Sequence, residues 1–204
     1  MAKSPLKVLG KDELIELFET LQDVSTALLK EEQPQRLLPL IVEKAMEIVD
    51  ADGGSLYLKG TGDILNFEVL KNNSFKSDGV DLEPIPLSTK AICTQCFHTL
   101  ESLNINDAYL MDKELGISFN RSIDKEKGYR TRSVLAIPLV DDSKKAIGVL
   151  QMINKKNFYL EKWPKDSGDV SDMPPFGNLD LYLMEQFGAL FSAAIMDSFL
   201  KMKK

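Results

Sequence analysis

Cysteine and histidine are almost absent from this 204-residue chain: two cysteines and one histidine, all within CTQCFH at residues 93–98. With so few soft ligands, a disulfide scaffold and a four-ligand zinc site built from cysteine and histidine are both excluded. Long apolar runs are missing too. Nowhere do some eighteen uncharged apolar residues stand together, and the opening MAKSPLKVLGKDE has no apolar stretch of signal-peptide length, so neither a spanning helix nor export is expected. The chain reads as cytoplasmic, with reduced thiols. No excess of basic charge is present: 25 basic and 31 acidic residues, net −6, are interleaved, which argues against nucleic acid or an anionic membrane surface as main partner.

What is present is enough for one domain that buries a core without disulfides or metal. From Asp12, the expected N-cap, to Lys30, the residues Leu14, Leu17, Leu21, Val24 and Leu28 follow an a/d helical seam, widened by Ile15, Phe18 and Leu29. Either this helix packs on its own domain or it forms a dimer seam. Pro34 suits the first turn of a second helix with an apolar face of Leu37, Leu38, Ile41, Ala45, Ile48 and Val49.

Two hairpin signals follow, SLYLK (55–59) with ILNFEVL (64–70), and SVLAIPLV (133–140) with AIGVLQMIN (146–154). Residues 178–200 close the chain with a long helix burying Met184, Phe187, Leu190, Phe191, Ala194 and Ile195. Hairpins between flanking helices imply an α+β fold with an antiparallel sheet. The boundaries expected are a helical extension at 1–33 and a main domain at 34–204, with irregular stretches at 72–86 and a long loop insert at 156–175.

Residues 104–155 carry a dense series of motifs: Asn104-Ile105, Asp107-Ala108-Tyr109, Phe119-Asn120, Asp124, Gly128-Tyr129-Arg130-Thr131-Arg132, Pro138, Ile147-Gly148-Val149 and Asn154-Lys155. This series resembles GAF domains, in particular those of cyclic-nucleotide phosphodiesterases and adenylyl cyclases. Phe176 and Asp180 continue that family's NKFDE signature, with Leu181 where the Glu would stand. The resemblance covers about residues 34–200. It implies a six-stranded antiparallel sheet with helices on both faces, the N- and C-terminal helices packed together, and a small-molecule pocket under a roof helix. It also implies a structural ion pair between Lys155 and Asp180. Gly128 and Gly148 read as ordinary turn and strand glycines. The run Arg121, Lys125, Lys127, Arg130 and Arg132 reads as a solvated face whose arginines have the alternative of holding a phosphate.

The same alignment puts Ala91-Ile92-Cys93-Thr94 at the start of the roof helix. On a helix, His98 lies about 140° from Cys93 and about 200° from Cys96, so the three do not converge on a metal. Phe97 separates Cys96 from His98, which excludes the covalent haem signature, and a thioredoxin-like CxxC lacks its βαβ setting. What survives is a thiol sensor at Cys93 and Cys96, with helix N-terminal amides lowering the thiol pKa, against two inert buried thiols.

By resemblance, the ligand-contact positions are Ser55, Leu70, Lys71, Ile92, Cys93, Asp124, Lys127, Thr131 and Gln151. Ser55, Ile92, Asp124 and Thr131 agree in type with cyclic-nucleotide-binding relatives. Leu70-Lys71 replaces a Phe-Asp pair, Lys127 a Thr and Gln151 a Glu. An unpaired donor or acceptor in a closed pocket costs about 1–3 kcal/mol, so these departures leave the ligand open. The expected function is a non-catalytic signal-transduction domain that binds a small ligand, a cyclic nucleotide among the candidates, and signals through its terminal helices. No other cofactor and no metal are expected. The alternative is a dimerisation scaffold without ligand. A homodimer through the terminal helices and a signalling partner in trans are the expected partners. No nucleophile with base and orienting partner is visible, so catalysis is not expected.

Overall fold

The computed structural model describes residues 5–31, 33–77, 80, 82–111, 116–156 and 173–202. After a short 3-10 turn at Pro5–Val8 come α1 (Lys11–Lys30) and α2 (Pro34–Ile48). The hairpin β1 (Ala51–Lys59) and β2 (Ile64–Asn72) follows, then β3 (Ile85–Pro86), α3 (Ile92–Thr99), β4 (Leu103–Ile105) and α4 (Ser122–Lys127). The second hairpin, β5 (Val134–Val140) and β6 (Ala146–Lys155), precedes α5 (Asn178–Met202). The six strands form one sheet in the order β3-β2-β1-β6-β5-β4, every neighbour antiparallel. Of the expected insert at 156–175, residues 157–172 lie outside the described residues.

Strand alternation sends each hairpin's side chains to two cores. On one face Leu56 and Leu58 of β1, Leu135 and Ile137 of β5, and Leu150 and Met152 of β6 pack against Ile41 and Ala45 of α2 and Met184, Phe187 and Phe191 of α5. Full burial of each large apolar side chain contributes about 1.5–3 kcal/mol. On the other face Tyr57, Val134, Ala136 and Val149 meet Ile92, Cys93 and Cys96 of α3. Two edge strands, β3 and β4, are two and three residues long, too short to leave a period-two signal in the sequence.

The start of α1 corrects the expected cap. Gly10 caps the helix, and the Glu13 carboxylate accepts the Gly10 N–H at 2.6 Å, so the cap lies two residues before Asp12. Only the second half of the α1 seam is buried, at Val24 and Leu28. Leu14, Ile15, Phe18, Leu21 and Leu29 are exposed, Phe18 by 67% and Leu29 by 82%.

Candidate functional site

A cavity of about 520 Å³ opens between the sheet and α3. Its floor is the α3-facing side of β1, β2 and β6, with Ser55, Tyr57, Phe67, Leu70, Gln151 and Ile153. The first turn of α3 roofs it through Ala91, Ile92 and Cys93, and the walls include Phe75, Phe119, Asp124, Tyr129 and Thr131. Aromatic rings dominate. Tyr57 and Phe67 lie 4.5 Å apart between centroids, and Phe75 meets Tyr129 edge-on at 5.1 Å.

Seven of the nine candidate ligand positions, Ser55, Leu70, Ile92, Cys93, Asp124, Thr131 and Gln151, line this one cavity. Lys71 does not. A bulge in β2 sets Leu56 opposite Val69 and Tyr57 opposite Phe67, so beyond Glu68 the alternation resumes with Leu70 toward the cavity. Lys71 therefore faces the helices, where its ammonium pairs with Glu43 of α2. Lys127 is also displaced, to the last residue of α4, with its ammonium 2.8 Å from Glu126. Gly128 follows at φ +60°, the left-handed cap that ends α4 and turns the chain back.

Asp124 reaches the cavity wall but its carboxylate is engaged within the fold. It accepts the Thr131 N–H at 2.7 Å, the Thr131 hydroxyl at 2.9 Å and the Tyr109 hydroxyl at 2.8 Å. Burial, reinforced by that bond to Asp124, pushes the Tyr109 hydroxyl up to about 12. Of the arginines expected to face solvent or a phosphate, Arg121 stays exposed while Arg130 and Arg132 are half-buried, and all three bond within the protein. The guanidinium carbons of Arg121 and Arg130 lie 3.9 and 3.5 Å from the Tyr109 ring centroid, and Arg130 donates to both oxygens of Asp107 at 2.8 and 3.0 Å. Arg132 donates to the Met173 carbonyl.

The signature residues form a second cluster next to the pocket. Asn154 holds φ +59°, a conformation that asparagine tolerates better than most side chains. Its amide oxygen accepts the Arg132 N–H at 2.7 Å, and its amide nitrogen donates to the Tyr129 hydroxyl at 2.8 Å and the Arg130 carbonyl at 2.9 Å. The Tyr129 hydroxyl in turn donates to buried Asp52 at 2.8 Å. Lys155 meets Asp180 at 2.7 Å, and the same carboxylate accepts the Gly177 N–H at 2.7 Å in front of α5. Phe176 is buried under the helices, and its carbonyl accepts from the Asn104 amide at 2.9 Å.

The cysteines are enclosed rather than poised. Burial pushes the Cys93 thiol up to about 11, outweighing backbone N–H bonds to its sulfur from Thr94 and Cys93 itself. Cys96 is raised further, first by burial and then by Cys93. The expectation of a thiol pKa lowered by the helix N-terminus is thereby corrected, because desolvation exceeds the amide dipoles. The thiolate is the nucleophile, so iodoacetamide at pH 7.5 is expected to alkylate the folded protein at least about tenfold more slowly than the unfolded chain. The rate climbs as pH approaches 11. Equal rates in both states, followed by mass spectrometry, would refute this. Because the folded thiol binds its proton more tightly, its contribution to stability is complete below about pH 8.5, the ordinary thiol value. It fades as pH rises toward about 11.

Among the described residues no group of three or more His, Cys, Asp or Glu is arranged to hold a metal. His98 is drawn away from the cysteines, its ring N–H donating to the Leu87 carbonyl at 2.9 Å. Sequence reasoning missed the aromatic lining. Its only trace was the placing of Tyr57 and Phe67 on alternating strand positions, which says that they share a face and nothing about a cavity.

The sequence model of the GAF domain family matches residues 33–195. The chain is similar to the dual 3',5'-cyclic-AMP and -GMP phosphodiesterase 11 of Drosophila melanogaster, 29% identical over 168 residues that cover 77% of this chain and 11% of that protein. It is also similar to the probable 3',5'-cyclic phosphodiesterase pde-5 of Caenorhabditis elegans, 28% identical over 144 residues, 64% of this chain and 18% of that protein. The chain thus spans between about a tenth and a fifth of the length of these curated relatives.

Among solved structures, the GAF domain of a phosphoenolpyruvate-protein phosphotransferase from Coxiella burnetii superposes with a TM-score of 0.65 at 14% identity, covering 93% of this chain and 98% of that one. The free methionine-R-sulfoxide reductase of Neisseria meningitidis, in complex with its substrate, gives 0.64 at 15% identity, with 95% and 96% covered. At these identities the likeness concerns the fold. Among the described residues no helix is long and apolar enough to cross a membrane.

Proposed function

The chain belongs to the GAF domain family, and on that premise we propose that it is a non-catalytic regulatory module that encloses a small molecule and reports occupancy through its terminal helices. One observation carries this reading: the cavity is joined to α5 by a short series of bonds. Tyr129 lines the cavity and is held by Asn154, and the next residue, Lys155, grips Asp180 in the first turn of α5. A ligand that shifts Tyr129 acts on the residue adjoining that grip. The names of the two phosphodiesterase relatives bring cyclic nucleotides into the candidate set.

A second reading, a dimerisation scaffold, is favoured by the apolar stripe of α1 that the fold leaves uncovered, centred on Phe18. One comparison separates the two. In hydrogen exchange, a compound that raises the melting temperature of the wild type is expected to slow exchange along α5, and to lose that distant effect in Asp180→Asn while still stabilising the pocket. Under the scaffold reading no compound changes exchange, and Phe18→Glu converts a sedimenting dimer to monomer. Protection of α5 that persists unchanged in Asp180→Asn would remove the proposed route.

A further inference from the structure

Leu14, Ile15, Phe18, Leu21 and Leu29 of α1 are all exposed. At about 100° per residue they fall within an arc of about 120° on one side of the helix, spread over about 22 Å of its length. Scattered exposed apolar residues are ordinary, but five in one stripe mark a contact surface. The domain leaves them uncovered because α1 packs on α2 and α5 through the adjoining arc, where Val24 and Leu28 are buried and Leu17 is partly so.

The other edge of the stripe is acidic. Counted round the helix from Phe18, Glu19, Asp12, Asp23 and Glu16 follow at about 100°, 120°, 140° and 160°. All four are exposed, and among the described residues none of them forms an ion pair. Lys11 and Lys30, the only cations of the helix, stand at its two ends. The apolar strip thus has the domain along one edge and a row of carboxylates along the other.

Charge decides between two occupants. A second copy laid antiparallel would bring the two acidic rows together. Laid parallel, each row would lie along the other copy's domain-side edge, where Leu17, Val24 and Leu28 offer no cation. In neither arrangement does the row meet a counter-charge, and like charges across a helical seam oppose pairing. A helix with lysines or arginines along one flank supplies that charge, while its own apolar face covers Phe18.

We propose that α1 is the docking site for an amphipathic helix of a different protein, about four turns long, apolar on one face and basic along one flank. Phe18 is the central anchor, and Asp12, Glu19 and Asp23 select the partner by charge. Because α1 rests on α5, the partner sits against the same helical layer that receives the Lys155 and Asp180 pair. The inference does not depend on what the cavity binds, and it replaces the second copy of the scaffold reading with a different chain.

Two synthetic helical peptides of about 20 residues test it by fluorescence anisotropy against the full chain, one with leucines at a and d and lysines at e and g, the other with glutamates in place of the lysines. The lysine peptide is expected to bind at least about tenfold more tightly than the glutamate peptide, and to weaken by about threefold or more at high salt. Phe18→Ser is expected to lose about tenfold of that affinity while the free protein melts no lower, since the ring is exposed. Glu19→Lys combined with Asp23→Lys is expected to shrink the preference between the peptides to about threefold or less. A preference that survives that double variant would mean that the peptides sense the overall negative charge of the chain and not this helix, which overturns the proposal. Equal binding of the two peptides to the wild type, or binding of neither, overturns it as well. Sedimentation separates the other occupant: the wild type alone is expected to remain a monomer, and a dimer that Phe18→Ser dissociates would give the stripe to a second copy and overturn the assignment to a different protein.

Discussion

Asn154→Ala is expected to lower the unfolding free energy by about 4 kcal/mol. Three side-chain hydrogen bonds are lost, to the Arg132 N–H, the Tyr129 hydroxyl and the Arg130 carbonyl. At about 1 kcal/mol each they account for most of the loss. The remainder, about 1 kcal/mol, is the cost of holding an alanine in the left-handed region that Asn154 occupies at φ +59°. Asn154→Gly separates the two contributions, since glycine adopts that backbone freely but makes none of the bonds. It is expected to lie about 1 kcal/mol above the alanine variant and still well below the wild type. For a chain of this length, the alanine variant should melt roughly 8–16 °C lower. Urea unfolding of the three proteins decides: a glycine variant as stable as the wild type would mean that the bonds contribute nothing.

Gly148→Ala is expected to be of comparable severity, about 3 kcal/mol or more, for a reason that involves no lost bond. A Cβ at Gly148 would stand 2.3 Å from the Tyr57 carbonyl oxygen and 3.3 Å from the Leu58 Cα. Both are backbone atoms of β1, so the two central strands of the sheet would have to part. Gly188→Ala makes the same chemical change with the opposite expectation. Its new methyl would meet the Cδ1 of Ile137 at 2.7 Å, the free end of a side chain that turns aside. Alanine in the interior of α5 then recovers up to about 1 kcal/mol of helix propensity. Melting curves of the two variants that coincide would refute the distinction between a rigid and a yielding neighbour.

That pair also shows where sequence reading stops. As letters, Gly148 and Gly188 are a glycine in a strand and a glycine in a helix, and propensity alone rates the helical one the greater liability. Which carries the larger penalty is decided by the atom that faces the missing Cβ, and that atom belongs to a segment about ninety residues away for Gly148 and about fifty for Gly188. Lys71 is a similar case. The motif placed it beside Leu70 as a ligand contact, but neighbours on a strand point to opposite faces. Only the bulge at Glu68 determined that Leu70 received the cavity and Lys71 received Glu43.

By itself the sequence determined the helices α1, α2 and α5, the two hairpins, the apolar faces of α2 and α5 and, through its motif series, the GAF family. These are written in local periodicity and in residues whose backbone demands are intrinsic, such as Gly128 and Asn154, both at positive φ. The tertiary structure alone decided what long-range packing creates. It enclosed Cys93 and Cys96 and raised their thiols, drew Arg121 and Arg130 onto Tyr109, and gathered five aromatic rings around one cavity that Gln151 also lines. Desolvation and pairing depend on neighbours far away in sequence, and only the folded chain brings them together.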